Sequence, residues 1–417
     1  MSRSALVFDD GLHPLGALRD LRAIFQARTG ALTTLERLAA VTGLSFHDAW
    51  VPEALAPVVR ERAALPIDAP FAAPEVAGVR INTEPRDQQL LIVNGRCVAP
   101  PQALDDLAHG EAWVEGDSGE LIAVSIPAGE LRALAAANWR WNGPARRTAE
   151  RCLLSRPWHV RAFRDTALDV DLKTLAGRLP AWSFAPGDGV FVIPLGGAVH
   201  RAPSARIGPG VVLDAEAGPI VLDEHCIVRP GATIIGPAYL GRHSVVLDRA
   251  IIKPRTAIGP WCKIAGEVGG TVIQGFTNKS HDGHLGDSWV GEWVNLGAGT
   301  TNSNLLNTYG EVTCRAGPLG PMERTGQVFL GATIGDHVKT AIGTRLMTGV
   351  QLGTGAMYAA TAAASGLIDR FAWITDAGAK PYRSDRFEAV ARAAMSRRGV
   401  TPGPAYLSRL ADLSKGS

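Results

Sequence analysis

An aliphatic residue returns every six positions over a long stretch of this chain, and this period constrains the fold more than any other feature. A mostly small residue stands four positions after each aliphatic one. The eight successive aliphatic positions are Leu222, Val228, Ile234, Leu240, Val246, Ile252, Ile258 and Ile264. The same step resumes from 284 to 296 and again from 334 to 352. A period of six fits neither a helix, which repeats every ~3.6 residues, nor the two-residue alternation of a strand.

This period is typical of a solenoid whose coil is a triangular prism, with one short strand and one corner for every six residues. The aliphatic residue points inward, the small residue fits beside it, and Gly or Pro turns the corner. Corner pairs such as Pro230-Gly231 and Gly236-Pro237 account for part of the 47 glycines and 27 prolines. We therefore predict a parallel β-helix over 195–365. A β-sandwich with chance spacing is the alternative interpretation.

The regions on either side of the repeat have different patterns. Residues 4–8, 89–93 and 119–124 resemble buried strands, and 33–41 has helical spacing, with Thr33 as an N-cap and Glu36 three residues on. Alternating strands and helices predict an α/β domain over 1–145. Residues 146–194 are charged and helix-prone, which predicts a helical linker. The tail, 366–417, contains an amphipathic helix at 385–397, which we expect to pack on the end of the coil.

Composition excludes several classes of protein. Forty-two basic and 40 acidic residues give a net charge of +2, which argues against a dedicated nucleic-acid binder. No apolar run of about 18 or more residues indicates a membrane span, and the N-terminus does not resemble a signal peptide. The cysteines lack zinc spacing and suit reduced, buried thiols in a cytoplasmic protein. They are Cys97, Cys152, Cys226, Cys262 and Cys314.

The densest polar chemistry interrupts the repeat at 277–307, TNKSHDGHLGDSWVGEWVNLGAGTTNSNLLN. His281 and His284 lie three residues apart, with Lys279, Asp282 and Asp287 nearby. A neutral histidine can take a proton from an amine or hydroxyl, and a carboxylate can orient it. The GAGTTNSN run offers backbone N–H groups that could hold a developing oxyanion. A metal site without recognisable ligand spacing, or corners that only close the coil, are the alternatives; we predict no metal ligands.

These residues carry a resemblance to a known family. The segment HLGDSWVGEWVNLGAGTTNSN resembles YxGDxxxGxxxNxGAGTxxxN in the acetyltransferase half of bifunctional N-acetylglucosamine-1-phosphate uridyltransferases, the GlmU-like family. The longer run GPWCKIAGEV to NSNL is similar to a divergent branch described as sugar nucleotidyltransferases, which also shares VFDD, RTGALTTLERL and LLIVNGR. The resemblance covers most of the chain and is strongest over about 195–355. It implies a left-handed β-helix and a nucleotidyltransferase-like N-terminal domain.

The resemblance also implies roles for single residues. The family's catalytic histidine falls on His281, its conserved aromatic residue on His284, and its asparagine at the reacting amine on Asn304. The residues Gly297, Ala298 and Gly299 would form a backbone ledge beside the thioester of acetyl-CoA. The implied reaction is attack of a sugar amine on acetyl-CoA, in a homotrimer with its sites between subunits. No nucleic-acid or membrane partner is expected.

This chain also departs from the family pattern. Leu305-Leu306-Asn307 stands where the family has Tyr-Asp-Gly and a nearby lysine. The family's phosphate-holding cations have no clean match. Candidates for holding a sugar phosphate are Arg249, Lys253, Lys263 and Lys279, and candidates for the phosphates of CoA are Lys339 and Arg345.

The N-terminal domain departs further, since VFDDGLHPL lacks the glycine pair that cradles nucleotide phosphates. The family's metal-binding aspartate appears as Asn94. Asp9 and Asp10 could still hold Mg²⁺, and Arg22 and Arg28 could hold phosphate. A degenerate domain is the favoured interpretation. Three functions follow in order of preference: an acetyl-CoA-dependent N-acetyltransferase acting on an amino-sugar phosphate or nucleotide-linked amino sugar, a sugar-1-phosphate nucleotidyltransferase, and a non-catalytic sugar-nucleotide-binding scaffold.

Overall fold

The structure of the protein, a computed structural model, describes residues 4–182, 189–193 and 196–416. Its N-terminal part is built on a seven-stranded sheet. In chain order the strands are β1 (Ser4–Phe8), β2 (Ser45–Trp50), β3 (Arg80–Ile81), β4 (Gln89–Asn94), β5 (Ala112–Glu115), β6 (Leu121–Pro127) and β7 (Ala145–Thr148). Across the sheet they lie in the order β3-β2-β1-β4-β6-β5-β7, and β6 runs antiparallel to its neighbours β4 and β5.

The α-helices are distributed over both parts of the chain. Within the described residues they are α1 (Thr34–Thr42), α2 (Ala56–Ala63), α3 (Leu131–Ala136), α4 (His159–Ala176), α5 (Ser384–Ser396) and α6 (Pro404–Lys415). Short 3₁₀ segments lie at Gly16–Leu18, Ile24–Gln26, Pro74–Val76, Leu104–Asp106 and Ala128–Glu130. Among the described residues, no helix has the length and apolar character needed to cross a membrane.

Helix α1 begins at the N-cap that the sequence predicts. The Glu36 amide donates to Thr33 Oγ1 at 3.2 Å, and the Thr33 amide donates to the Glu36 carboxylate at 2.7 Å. Each bond satisfies an amide that the first turn of a helix leaves without an intrahelical partner. The predicted strands at 4–8 and 89–93 are confirmed as well.

After the α/β part the chain winds into a coil with three parallel sheets, which we call faces 1, 2 and 3. Face 1 contains Phe191–Ile193, Val212–Asp214, Thr233–Ile235, Ile251–Ile252, Glu267–Gly269 and His284–Gly286. Face 2 contains Val199–Arg201, Ile220–Leu222, Ala238–Leu240, Thr256–Ile258, Val272–Gly275, Trp289–Glu292, Thr333–Ile334, Gln351–Leu352 and Leu367–Ile368. Face 3 contains Arg206–Ile207, Ile227–Val228, Val245–Val246, Lys263–Ile264 and Asn278–Lys279.

Further short strands complete the coil beyond residue 300. Thr301–Asn302 pairs with Arg345–Leu346, and Lys339–Thr340 pairs with Met357–Ala359, which continues into Ala372–Thr375 and Gly378–Pro381. Thr313–Arg315 and Met322–Arg324 form a separate antiparallel hairpin, in which Cys314 is buried.

The register of the coil confirms the six-residue period. Val228 pairs with Val246 and Ile234 with Ile252, so each turn of the coil takes eighteen residues, or three hexapeptides. The repeating aliphatic residues are all buried in one continuous core. Stacking turns in this way buries apolar surface that a single turn would leave exposed. The predicted fold class, an α/β domain followed by a hexapeptide β-helix, is confirmed.

Helices cover two sides of the coil. Leu168 and Leu172 of α4 pack in one apolar cluster with Tyr239 and Val272 of face 2. Helix α5 lies along face 3, where Val390 shares a cavity with face-3 residues from the middle of the coil. Phe387 of the same helix packs against Phe371 in the last turn of the coil, so the predicted packing on the coil end is confirmed, and the helix also reaches the middle of the coil. The proposed linker, 146–194, includes α4, and its residues 183–188 and 194 lie outside the described residues.

A buried ion-pair network joins the α/β part to the coil. Arg22 Nη2 lies 2.6 Å from Asp336 Oδ1 and 3.2 Å from Glu292 Oε2, and Arg62 Nη2 lies 3.1 Å from Glu292 Oε1. Arg22 is fully buried. Removing one partner would leave a charge unpaired away from water, which is costly. The network therefore fixes the α/β part against the coil, and Arg22 is not free to hold a phosphate, contrary to our prediction.

Candidate functional site

An open cleft of ≈ 910 Å³ lies at the corner where face 3 leads into face 1. Three consecutive turns contribute His281, then Ala298 and Gly299, then Ile342 to its wall. Asp248 and Asp282 also line it. The structure thus brings the predicted base next to two of the three residues of the predicted ledge.

Lys279 holds the turn that carries His281. It occupies an inward position of face 3, in register with Ile264, where the repeat elsewhere places an aliphatic residue. Its Nζ donates to the carbonyl oxygens of Ala265 at 2.9 Å and of His281 at 3.0 Å. Burial lowers the pKa of Lys279 to about 8. Its amine is used inside the coil, so the prediction that it binds a sugar phosphate is wrong.

The two histidines of the motif have different surroundings. Within the described residues the exposed imidazole of His281 has no carboxylate partner, whereas His284 Nδ1 lies 3.2 Å from Glu267 Oε1. Glu267 Oε1 also pairs with Lys253 Nζ at 2.7 Å, and the hydrogen bond from that amine is the main cause that lowers the pKa of Glu267. The carboxylate beside a histidine is therefore Glu267, which sequence reasoning missed, and not Asp282 or Asp287; it serves His284 and also engages Lys253.

His284 and Asn304 meet above a glycine on face 1. A Cβ on Gly286 would lie 2.5 Å from His284 Nε2 and 2.8 Å from Asn304 Nδ2. Both side chains therefore occupy space that any residue other than glycine at position 286 would fill. The structure therefore separates the predicted catalytic residues into two groups, His281 at the corner and His284 with Asn304 on face 1.

A carboxylate and two arginines fix Asn304. Its Nδ2 donates to Asp287 Oδ2 at 2.8 Å. The other oxygen of Asp287 accepts from Arg164 Nη1 at 2.6 Å and lies 2.8 Å from Arg161 Nε, and both arginines come from α4. Sequence reasoning missed these arginines. Their spacing of three residues, which places them on one side of a helix, was the available signal.

The glycine-rich ledge offers one unengaged amide. The Gly297 N–H donates to Thr340 Oγ1 at 3.0 Å, and the Gly299 N–H donates to the Asp282 carbonyl oxygen at 3.1 Å. Ala298 is the member of the ledge whose N–H has no acceptor within the described residues. A free amide beside a histidine is the kind of donor that stabilises a carbonyl oxygen as it gains negative charge.

The predicted phosphate-binding cations do not converge on the cleft. Arg249 is exposed at a corner, with a left-handed φ of 59°, and Lys263 is exposed on face 3. Arg345 is exposed and donates to the Thr361 carbonyl oxygen at 2.7 Å. Lys339 lines a different cavity, under α5. The cleft itself is lined by carboxylates and no cation in the part of the chain that the structure describes.

At the N-terminal sheet, the carboxyl ends of β1 and β4 are the position where open α/β sheets usually bind ligands. Asp9 accepts the Ile24 amide at 2.8 Å, and burial raises its pKa. Asp10 pairs with Arg96 at 2.7 Å. Asn94 donates to the Leu121 carbonyl oxygen at 2.8 Å. These side chains are already engaged within the protein, which does not fit the predicted metal and nucleotide roles.

The chain itself fills the crevice between these strand ends. A Cβ on Gly95 would lie 2.8 Å from the side chain of Phe25 and 2.9 Å from the Phe8 carbonyl oxygen. Arg28, which we predicted to hold phosphate, donates to the carbonyl oxygens of Gln274 and Ala31. The favoured interpretation of a degenerate nucleotide site agrees with this packing.

Known proteins resemble part of the chain. Residues 5–178 match the family model described as sugar nucleotidyl transferase. The bifunctional protein GlmU of Synechococcus sp. (strain CC9311) is 30% identical over 166 residues, which cover 38% of this chain and 34% of that protein. The bifunctional sugar-1-phosphate nucleotidylyltransferase/acetyltransferase of Sulfurisphaera tokodaii is 33% identical over 138 residues, 33% of this chain and 34% of that protein. The matches span about a third of the length of these relatives.

Solved structures show weaker likeness. The Francisella novicida UDP-N-acetylglucosamine acyltransferase aligns with a TM-score of 0.29 at 16% identity, over 51% of this chain and 73% of that chain. The polySia-specific acetyltransferase NeuO aligns with a TM-score of 0.26 at 12% identity, over 51% and 98%. The fold assignment rests on the three parallel faces described above, and not on these alignments.

Proposed function

We propose that this chain, a relative of the bifunctional GlmU proteins, is a transferase whose β-helix moves an acetyl group from acetyl-CoA to the amine of a sugar. The observation that carries the proposal is the cleft in which His281 and the free amide of Ala298 lie together. The acceptor we favour is an amino-sugar phosphate or a nucleotide-linked amino sugar.

The residues of the cleft suit each step of acyl transfer. The amine nitrogen attacks the thioester carbon, and the Ala298 N–H donates to the oxygen that becomes negative. The His281 imidazole takes the proton that the amine loses. The C–S bond then breaks, and the thiolate takes up a proton to leave as the thiol of CoA. Asp248 and Asp282 give the cleft a negative charge, which favours an acceptor that arrives as an ammonium ion and releases one proton to solvent before its nitrogen attacks.

The test is thiol release from acetyl-CoA in the presence of a panel of amino sugars, amino-sugar phosphates and nucleotide-linked amino sugars. His281→Asn is expected to lower kcat by about 100-fold or more, within the range for general-base catalysis. The matched control is His225→Asn, an exposed histidine on a different corner of the coil. A His281→Asn enzyme with full activity would remove this residue as the base. Loss on His284→Asn alone would assign the role to the His284–Glu267 pair.

A homotrimer is part of the same proposal. Ile342 lies on the rim of the cleft with 80% of its surface exposed, a position that a second copy of the chain would cover. Sedimentation equilibrium of the full chain should give three times the mass of 44.0 kDa. A monomer at micromolar concentration would contradict a shared site.

Nucleotidyl transfer by the N-terminal domain is a second candidate, favoured by the match of residues 5–178. The filled crevice at β1 and β4 weighs against it. Mg²⁺-dependent release of pyrophosphate from a nucleoside triphosphate and a sugar-1-phosphate would establish this activity. Thermal stabilisation by UDP-sugars without turnover of either kind would instead indicate a binding scaffold.

A further inference from the structure

A cavity of ≈ 390 Å³ lies at the junction of the α/β part, the end of α4 and the coil. It shares no lining residue with the His281 cleft, so the site proposed for acetyl transfer does not account for it. Ligand cavities often have this size and often lie where two parts of a chain meet. The lining carries both arginines and carboxylates, and the pairing among them indicates what the cavity would accept.

Two arginines of this lining have no partner. Arg242, on the coil, is half-buried, and Arg178, just after α4, is exposed. Neither side chain forms an ion pair or a hydrogen bond within the residues that the structure describes. The other two arginines, Arg28 and Arg62, pair with carboxylates of the same lining. Arg178 and Arg242 are therefore available to an anion, and the planar guanidinium group matches the geometry of a phosphate.

A carboxylate from the α/β part lacks a partner of the opposite sign. Glu75 lines the cavity, and its Oε1 accepts from Gln26 Nε2 at 3.1 Å, but it forms no ion pair among the described residues. Burial and, after it, the charge of Glu36 raise the pKa of Glu75, although the charge of Arg62 opposes the rise. A cationic group beside Glu75 would stabilise its charged form, and an ammonium group supplies such a charge together with hydrogen-bond donors.

Two hydroxyl groups of the lining retain hydrogen-bonding capacity. Thr33 Oγ1 accepts from the Glu36 amide, which leaves its O–H available to donate. The Tyr239 O–H donates to Asp223 Oδ2 at 2.6 Å, which leaves its oxygen available to accept. A ligand that carries hydroxyl groups would use both. The prolines of the lining offer apolar surface to the C–H groups of a sugar ring.

We propose that this cavity is a second ligand site, which binds a small hydroxylated molecule carrying both an amine and a phosphate, as an amino-sugar phosphate does. The ammonium would contact Glu75, the phosphate Arg178 and Arg242, and the hydroxyl groups Thr33 and Tyr239. The inference goes beyond acetyl transfer, because it concerns a site outside the His281 cleft. Since both parts of the chain supply the walls, a bound ligand would also hold the α/β part against the coil.

The test is calorimetric titration of the full chain with three sugars: glucosamine 6-phosphate, glucose 6-phosphate, which lacks the amine, and glucosamine, which lacks the phosphate. The wild type should bind the first at least tenfold more tightly than either of the others. Arg242→Gln should lower its affinity to near that of glucosamine, and Glu75→Gln to near that of glucose 6-phosphate. The control, Arg206→Gln, removes an exposed arginine of face 3 outside the cavity and should change nothing.

Equal affinity for the three sugars, or wild-type binding by both cavity variants, would overturn the inference. The His281 cleft is the other place where such a ligand would bind, so the same titrations are made with Asp248→Asn/Asp282→Asn, which changes the charge of the cleft alone. Binding lost in this cleft variant but kept in Arg242→Gln would also overturn it. If Glu75→Gln loses its folded melting transition, Arg242→Gln still tests the phosphate contact, since that side chain has no partner to lose.

The titrations need no turnover, so the second site and the proposed function fail separately. Binding that requires amine, phosphate, Glu75 and Arg242, without acetyl transfer to any acceptor, would refute the function and support the cavity. Where acetyl transfer is found, Arg242→Gln and Glu75→Gln should leave the KM for the acceptor unchanged. A raised KM for the acceptor in both variants would make the cavity part of the acceptor site and overturn the inference.

Discussion

The Nζ of Lys279 donates to the carbonyl oxygen of His281 at 3.0 Å, so a charged group in the core of the coil holds the turn that carries the proposed base. The position suits a Met, whose stem has a similar length. In Lys279→Met the cost of burying an ammonium disappears, while two carbonyls lose their donor at about 1–3 kcal/mol each. Because these effects offset one another, we expect the free energy of unfolding to change by less than about 2 kcal/mol.

Activity should respond more strongly than stability to the same change. Without the amine the turn is free to move, and a displacement of about 1 Å in a catalytic group can cost about 100-fold in rate. We therefore expect Lys279→Met to lower kcat for acetyl transfer at least tenfold, measured beside urea unfolding of the same sample. Lys173→Met, at an exposed position of α4, serves as the control. Parallel losses of stability and activity would show that Lys279 acts only through folding.

The buried pair between Arg22 and Asp336 predicts a large effect on stability. Arg22→Met leaves Asp336 and Glu292 without their common cation, and breaking a buried pair from one side costs about 3–5 kcal/mol. Urea unfolding should show this loss. Arg383→Met, which removes an exposed pair with Asp385, should cost at most about 1 kcal/mol. Similar costs for the two variants would mean that the network does not hold the α/β part to the coil.

Glu120 predicts a dependence of stability on pH. Although burial opposes it, the hydrogen bond from His13 and the charge of Arg96 lower the pKa of Glu120 from 4.5 to about 2. A carboxyl whose pKa is lower in the folded state stabilises the protein above its unfolded pKa, and this contribution is lost as pH falls from 4.5 towards 2. The urea midpoint of the wild type should therefore fall over this window by more than that of Glu120→Gln. Parallel curves would contradict the assignment.

The coil could be predicted because its physical requirement repeats. Each inward position must be aliphatic and each corner compact, so the pattern from Leu222 to Ile264 shows both the period and the core. One corner also carries rings in left-handed conformations, stacked at centroid distances of 4.9 Å for His225 and His243 and 4.3 Å for His243 and Trp261. The eighteen-residue spacing of these rings was visible in the sequence. It indicates stacking only once each turn of the coil is known to take eighteen residues.

The site could be predicted only in part. The motif identified His281 and Ala298 as neighbours, since adjacent turns stack in register. It could not show that the Lys279 side chain points into the coil. The six-residue repeat is interrupted at this point, so the sequence no longer indicates which side chains face the core and which face solvent. Nor could it place α4 against Asp287, because contacts between distant segments depend on how the two parts of the chain pack.

Asp287 connects α4 to Asn304. This contact predicts that removing the Asp287 carboxylate slows the chemical step and leaves the binding of acetyl-CoA unchanged. With its Nδ2 donated to Asp287, Asn304 keeps Oδ1 available to accept a hydrogen bond from the part of the acceptor that extends beyond the His281 cleft onto face 1. In Asp287→Asn the negative charge that accepts from the Asn304 amide and pairs with both arginines is lost, so the Asn304 side chain is free to rotate. We expect kcat to fall at least tenfold while the KM for acetyl-CoA stays the same. Asp169→Asn, which removes another contact of α4 with the coil through Arg255, is the matched control and should retain activity. A raised KM for acetyl-CoA with normal kcat would place Asp287 at the donor site and contradict its role in orienting Asn304.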